Sequence, residues 1–138
     1  MSNFIGIINT NKLNLDEWMR EMNNNGRISN WCYSKNGLPP NVNDKIFICI
    51  SSKKGYIGVC EVVSNPQKHI VNIQENSDKR ERSARLNNPK SMNIQVRLIK
   101  QYTQVKDELT VTRCLDNYGK QATFKKIPEH ITIPPDYL

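Results

Sequence analysis

Two aromatic side chains, Trp31 and Tyr33, stand two positions apart in a segment rich in small polar residues, ISNWCYS (28–34). Aromatic rings flanked by small polar groups can stack on a nucleobase while the polar groups hydrogen-bond the edge of the base. The same pattern is typical of rings that cover one end of a sheet, and composition alone favours that alternative. The segment therefore indicates two hypotheses, binding of a base by stacking and packing of a core.

Basic residues are concentrated in three short stretches of the chain. The sequence has 20 Lys and Arg against 13 Asp and Glu, which gives a formal net charge of +7. Basic loops can contact the phosphates of a nucleic acid, and an ordinary charged surface is the alternative interpretation. The three stretches hold Lys53 and Lys54, then Lys79, Arg80, Arg82 and Arg85, and finally Lys120, Lys125 and Lys126.

Sequence patterns of catalytic and metal sites are missing. There is no GxSxG elbow, P-loop, HExxH motif or dinucleotide-binding glycine pattern. The two histidines, His69 and His130, are isolated, and the acidic residues form no cluster, which argues against a zinc site and a metal-dependent nuclease. We therefore predict no catalytic residue, no metal and no cofactor. Buried packing is expected for most of the four cysteines, which have no CxxC spacing: Cys32, Cys49, Cys60 and Cys114.

The elements that would position the aromatic segment centre on a β-hairpin. Two runs rich in Ile, Val, Phe and Tyr, Lys45–Ile50 and Tyr56–Val63, are joined by a polar, glycine-bearing turn. Both runs are nearly continuous in apolar residues, which predicts strands covered on both faces. Gly58 inside the second run predicts a bulge or the close approach of another backbone.

Further strands and one helix are predicted on either side of this hairpin. Asn14 is a predicted helix N-cap, followed by Leu15, Trp18, Met19 and Met22 at helical spacing, so Trp18 is assigned to core packing. The polar segment 75–91 is expected to form a loop, and the proline-rich tail to strap the surface or to lead into another domain. Strands are predicted at Phe4–Ile8, Met92–Ile99, Leu109–Leu115 and Phe124–Ile127.

These elements predict an α+β fold, a small mixed β-barrel of about six strands with one to three flanking helices. The length of 138 residues suits one domain, which we expect to span 1–128, with 129–138 as a C-terminal extension or the start of a linker. No segment has the length of a transmembrane helix, and the amino terminus lacks the features of a signal peptide. A cytoplasmic location is therefore expected.

The order of these motifs resembles the EVE and YTH branches of the PUA-like superfamily, over about residues 4–127. In those families a turn with Gly or Asn before Asp leads into an apolar strand, as in VNDKIFICIS, and the next strand carries an aromatic residue, Gly and a final Glu-Val pair, as in KKGYIGVCEVVS. The later segment from Asn93 to Pro128 looks like the closing part of a YTH domain. The matching positions are Asn43, Asp44, Tyr56, Gly58, Glu61 and Val62.

The resemblance implies a pocket for a modified nucleobase. Trp31 looks like the first wall of the aromatic cage, the backbone of Cys32 would meet the exocyclic amine of the base, and the polar segment Asn9, Thr10 and Asn11 would bind its edge. The second cage tryptophan has no counterpart between Pro66 and Ser91. Either Tyr33 or Tyr56 therefore completes the pocket, or the cage is incomplete.

The resemblance implies a non-catalytic reader that flips a methylated base into this pocket, on DNA rather than RNA, and directs a larger nuclease, GTPase or regulatory protein. The predicted phosphate-binding residues are Lys53, Lys54, Arg80, Arg82, Arg85, Lys120, Lys125 and Lys126. One alternative is a small ASCH-like enzyme acting on a nucleoside or amide, for which Lys45, Thr10 and Glu61 are loose candidates. The other alternative is a protein-interaction domain without a nucleic-acid partner.

Overall fold

The computed structural model describes residues 1–8, 13–34, 39–50, 55–67, 91–107, 109 and 124–138. Apart from Leu109, the predicted strand at 109–115 lies outside these residues, and so do the hairpin turn at 51–54 and, apart from Ser91, the predicted loop at 75–91. The elements are β1 (Asn3–Ile8), α1 (Leu15–Asn24), β2 (Ile28–Ser34), β3 (Lys45–Ile50), β4 (Gly55–Val62), β5 (Ser91–Lys106), β6 (Phe124–Lys126) and a 3₁₀ turn (Pro135–Tyr137).

Helix α1 begins where the sequence predicts it. The side chain of Asn14 accepts a hydrogen bond of 3.2 Å from the backbone N–H of Glu17, which satisfies one of the free donors of the first turn. The apolar positions Trp18, Met19 and Met22 are buried against the sheet. The predicted N-cap and the predicted inward face are therefore confirmed.

The strands form one mixed sheet in the order β2-β5-β4-β3-β1-β6. Strands β1 and β3 run parallel, and the other neighbouring pairs are antiparallel. In the described residues no hydrogen-bonded pairing joins the two edge strands β2 and β6, so the predicted barrel is instead an open sheet. The edges nevertheless meet through side chains, because the rings of Trp31 and Phe124 lie 5.2 Å apart. The sheet is therefore strongly curled.

Each face of the sheet has its own hydrophobic core, as the double-sided apolar runs of the hairpin predict. Along β3, Ile46, Ile48 and Ile50 belong to the core that contains α1, while Phe47 and Cys49 belong to the other. This is the alternation of side chains expected for an extended strand. We call the first the helix face and the second the tail face.

A bulge in β4 accommodates Gly58. Cys49 pairs with Tyr56 and Ile48 with Gly58, so Ile57 is the extra residue of the bulge. A Cβ on Gly58 would lie 2.7 Å from the backbone oxygen of Lys100 in the neighbouring strand β5. Both expectations for this glycine, the bulge and the close backbone approach, are confirmed.

The C-terminal residues cover the tail face of the sheet. Tyr137 is completely buried, and its ring packs edge-on against Phe47, Tyr56 and Tyr102 at centroid distances of 5.6 to 6.3 Å. The hydroxyl of Tyr102 donates a hydrogen bond to the backbone oxygen of Tyr137, and the hydroxyl of Tyr137 accepts one from the N–H of Leu109. The proline-rich segment is therefore a strap that belongs to this core.

Two of the four cysteines, Cys49 and Cys60, are buried free thiols, as predicted. Burial raises the pKa of the Cys49 thiol to about 11 and raises that of Cys60 further, with an added contribution from the charge of Glu61. Both groups are thus protonated packing residues at neutral pH. The side chain of Cys32 and all of Cys114 lie outside the described residues. No helix in the described ranges has the length and apolar character needed to cross a membrane.

Candidate base-binding site

Strand β2 directs the predicted aromatic residues into the helix-face core. Ser29, Trp31 and Tyr33 alternate with residues of the opposite face, and they line the inside of the curled sheet. Trp31 is 6% exposed and Tyr33 is 7% exposed. Burial raises the pKa of the Tyr33 hydroxyl above its usual value of 10. Both rings therefore form the edge of a core and present little surface to solvent.

Three edge-to-face contacts hold these rings together. The Trp31 ring lies 5.3 Å from Trp18 at 77° and 5.2 Å from Phe124 at 62°. Tyr33 also contacts Phe124, at 5.1 Å and 65°. Such T-shaped pairs are the preferred geometry of aromatic quadrupoles and contribute about 0.5–1.5 kcal/mol each beyond their buried area. We call these four residues the aromatic cluster.

The helix and strand β1 fix the position of Trp31 inside the cluster. Trp18 donates a hydrogen bond of 3.0 Å from Nε1 to the hydroxyl of Ser29, two residues before Trp31 on β2. On the other side, a Cβ on Gly6 would lie 2.5 Å from Cη2 of Trp31 and 2.6 Å from Cγ2 of Ile46. The missing side chain of Gly6 therefore makes the space that the indole ring occupies.

Tyr56 lies on the tail face, away from the other predicted base-binding rings. Its side chain is fully buried and its ring centroid is 5.6 Å from that of Tyr137. The structure therefore brings Trp31 and Tyr33 together through Phe124, and it separates Tyr56 from them by the thickness of the sheet. Of the two residues considered for completing the pocket, Tyr33 is the one placed beside Trp31.

The remaining predicted contacts to the base stay predictions, because Asn9, Thr10, Asn11 and the side chain of Cys32 lie outside the described residues. Their attachment points are nevertheless defined. Ile8, the last residue of β1, follows Gly6 by two positions, and Gly6 pairs with Phe124. The polar segment that follows β1 thus continues from the strand that borders the aromatic cluster.

The net positive charge of the chain lies outside the described residues. The described residues carry eight basic and eight acidic side chains, so the remaining segments carry the other twelve basic and five acidic side chains and the whole net charge of +7. Most of the predicted phosphate-binding residues belong to these segments: Lys53, Lys54, Arg80, Arg82, Arg85 and Lys120. Of the two that the structure describes, Lys126 is exposed and Lys125 is 6% exposed.

The residues considered for an ASCH-like enzyme do not gather around the aromatic cluster. Lys45 and Glu61 are register partners on β3 and β4, and strand alternation places both on the tail face. Glu61 accepts a hydrogen bond of 3.3 Å from Arg97 in a partly exposed ion pair. Thr10 lies outside the described residues. Among those residues there is also no group of three His, Cys, Asp or Glu side chains that could hold a metal ion.

Two members of this site were not identified from the sequence. For Phe124 the sequence predicts only a short strand, since nothing local shows that β6 would meet β2. Gly6 lies inside an apolar run, where a glycine within a strand is a recognised sign of close approach. The predicted packing role of Trp18 is confirmed, but its contact with Trp31 depends on the tertiary fold.

No protein-family model matches the chain, and no curated protein matches it. Solved structures do match over nearly its whole length. A hypothetical protein from Leishmania major is 13% identical with a TM-score of 0.60, covering 95% of this chain and 89% of that one. The DUF55 domain of human thymocyte nuclear protein 1 is 11% identical with a TM-score of 0.54, covering 93% and 92%. Human THYN1 protein in complex with 5-methylcytosine containing DNA is 11% identical with a TM-score of 0.52, covering 94% and 92%.

These likenesses concern the fold, and they agree with the resemblance found in the sequence. The chain therefore has a small α+β fold, which it shares with the human DUF55 domain.

Proposed function

We propose that this chain is a nucleic-acid-binding reader that recognises one modified, methylated nucleobase in a pocket walled by Trp31. The observation that carries the proposal is the aromatic cluster at the meeting of the two sheet edges, in a fold shared with a protein that is complexed with 5-methylcytosine containing DNA. No catalytic role is assigned to the chain.

The physical basis of the preference is the burial of a methyl group between aromatic rings. Transfer of one methyl-sized group from water contributes about 0.8 kcal/mol, and improved stacking adds to it. The sum corresponds to a preference of roughly tenfold for the modified base. Asn9, Thr10, Asn11 and the Cys32 backbone supply hydrogen bonds to the base edge in this proposal.

Binding to a duplex requires that the base leave the stack. Unstacking and unpairing cost a few kcal/mol, which contacts from the basic segments to phosphates would offset. We propose DNA as the preferred nucleic acid, and we propose that the module directs a larger nuclease, GTPase or regulatory protein to modified sites. The concentration of net charge in the segments between the described elements supports the phosphate contacts.

The test is fluorescence-polarisation binding of short DNA and RNA probes, single- and double-stranded, at two salt concentrations. Probes carry 5-methylcytosine, 5-hydroxymethylcytosine, N6-methyladenine or no modification. The proposal expects a preference for one modified probe and affinity that falls steeply with salt. Equal affinity for all probes would reduce the chain to a non-specific polyanion binder, and no binding would favour the enzyme or protein-interaction alternatives.

A pair of substitutions separates the pocket from the rest of the protein. Trp31→Phe shrinks the proposed wall, so the preference for the modified probe should fall while salt-sensitive binding persists. Phe47→Leu is the control, since it removes a buried ring from the tail face, away from the proposed wall. We expect it to lower the free energy of unfolding but to retain the preference. An unchanged preference in Trp31→Phe would remove Trp31 from the pocket.

A further inference from the structure

Among the described residues, the rings of the aromatic cluster leave little exposed surface on which a base could stack. Trp31, Tyr33 and Phe124 are each 6–7% exposed, and each contact of Phe124 with the other two is edge-to-face at 5.1–5.2 Å. A base that stacks on Trp31 needs an open ring face, so one ring of the cluster must move to admit it.

Trp31 is held firmly in place. All seven residues of β2, from Ile28 to Ser34, pair in continuous register with β5. The ring itself is confined between Trp18, which is anchored by its hydrogen bond to Ser29, and the backbone of Gly6. Moving this ring would disturb the helix, β1 and the seven-residue pairing of β2 with β5.

Phe124 is held much less firmly. It is the first residue of β6, a strand of three residues whose register with β1 comprises Phe124–Gly6, Lys125–Ile5 and Lys126–Phe4. In the described part of the chain β6 pairs with β1 only. Displacing the first residue of such a strand therefore breaks few backbone hydrogen bonds.

From this difference we infer that Phe124 is the second aromatic wall of the pocket, and that it swings away from Trp31 and Tyr33 to let the modified base enter. The inference rests on the proposed function and adds the residue that completes the cage. Trp31 and Tyr33 form the fixed side of the pocket, and Phe124 closes over the base from the opposite sheet edge.

The first arm of the test follows the three phenylalanines of the wild-type sequence by fluorine NMR after incorporation of 4-fluorophenylalanine. Phe4 is buried on the helix face, Phe47 on the tail face, and Phe124 in the cluster. The Phe4→Leu and Phe47→Leu variants assign their own signals, and the Phe124 signal is assigned by elimination. On titration with the preferred modified probe, the Phe124 signal should shift or broaden most, and the Phe47 signal should stay unchanged.

The second arm compares Phe124→Leu with the matched control Phe47→Leu, which removes a buried ring from the tail face. Because stacking on one ring contributes to affinity, Phe124→Leu should weaken binding of the modified probe by roughly 5- to 100-fold and bring the ratio of modified to unmodified affinity towards one. Phe47→Leu should keep the wild-type ratio despite a lower unfolding temperature.

The outcomes distinguish this inference from the proposed function. A wild-type preference for a modified probe, combined with an unmoved Phe124 signal or an unchanged ratio in Phe124→Leu, would overturn the role of Phe124 and leave the reader intact. Absence of any preference in the wild-type protein would overturn both. The fluorine arm uses the unmutated chain for the titration, so it decides the question even where Phe124→Leu fails to fold.

Discussion

Gly6 and Trp31 approach so closely that no side chain fits between them. A methyl group on Gly6 would lie 2.5 Å from Cη2 and 2.8 Å from Cζ2 of the indole ring. The two residues belong to β1 and β2, which are separated by three strands in the sheet order. The indole therefore spans the inside of the curled sheet, and the missing side chain of Gly6 makes room for the proposed pocket wall.

Replacing Gly6 with alanine should displace the Trp31 ring. Overpacking of this kind costs typically about 1–3 kcal/mol of unfolding free energy. We expect a lower denaturation midpoint together with an altered near-UV circular dichroism signal. Gly26→Ala is the control, since nothing lies within 4 Å of that position and the cost there arises from its positive φ of 64°. A Gly6→Ala protein with wild-type stability and near-UV signal would contradict the close contact.

The hydrogen bond from Trp18 to Ser29 should contribute more to the free energy of unfolding than a hydrogen bond at the surface does, since both residues are only 3% exposed. Ser29→Ala leaves the indole N–H buried without its acceptor, at a cost of about 1–3 kcal/mol. Trp18→Phe removes the donor instead. A double-mutant cycle measured by urea unfolding should therefore show that the serine substitution costs much less in the Trp18→Phe background. Additive losses would show that the hydroxyl is not coupled to the indole.

Asn30 should be a site where an apolar residue stabilises the protein. Its side-chain nitrogen and oxygen are both buried, and neither has a hydrogen-bond partner in the structure. An unsatisfied buried polar group typically costs about 1–3 kcal/mol. We expect Asn30→Val, which also suits a strand, to raise the unfolding free energy by about 1 kcal/mol. Gln95→Val, at the register partner in β5, is the control and should change it by less than about 0.5 kcal/mol. A loss of stability in Asn30→Val would show that the amide has a partner in solution.

Local signals in the sequence are sufficient to predict helix α1 and the two strands of the hairpin. The cap at Asn14, the helical spacing of the tryptophan and methionines, and the apolar runs on either side of the hairpin turn all act over a few residues, and all are confirmed. Gly58 predicts a bulge or a close backbone approach because these are the usual reasons for a glycine inside a strand.

The extent of β5 could not be read from alternation. The strand was predicted to end at Ile99 but continues to Lys106. Register shifts interrupt the pairing, since Cys60 pairs with Leu98 while Val59 pairs with Lys100. An inserted residue reverses the alternation, so Leu98 and Tyr102 lie on opposite faces despite their even spacing. A period-two pattern cannot be followed across such a bulge.

The aromatic cluster depends on the curl of the sheet. Trp31 and Phe124 are far apart in sequence and lie on opposite edge strands, so no local pattern could predict their contact. The sequence predicts Trp31 and Tyr33 as a pair because residues two positions apart in a strand lie on the same face. It could not select Tyr33 over Tyr56, because that choice depends on which face of the sheet each ring occupies.

Protonation of Asp136 in acid should weaken the packing of the C-terminal strap against the tail face. Lys106 donates a hydrogen bond of 2.8 Å to its carboxylate, and this bond, with the charges of Lys106 and Lys100, holds the pKa of Asp136 below its usual value. A carboxyl group whose pKa is lower in the folded state stabilises the fold above its unfolded pKa of about 3.9, and this contribution is lost as pH falls through the folded pKa. As the pH falls from 5 to 3, loss of the ion pair between Asp136 and Lys106 should therefore lower the unfolding temperature.

Other carboxylates titrate in the same range, so the prediction concerns the difference between proteins. Asp136→Asn removes the titrating group, and its unfolding temperature should fall less steeply between pH 5 and pH 3 than that of the wild type. Lys106→Met removes the donor and should flatten the pH dependence similarly, although it also removes the ammonium that lies over the rings of Tyr102 and Tyr137. Because Asp136 is exposed, the difference should shrink in high salt. Parallel pH curves for the wild type and Asp136→Asn at low salt would show that this ion pair does not secure the strap.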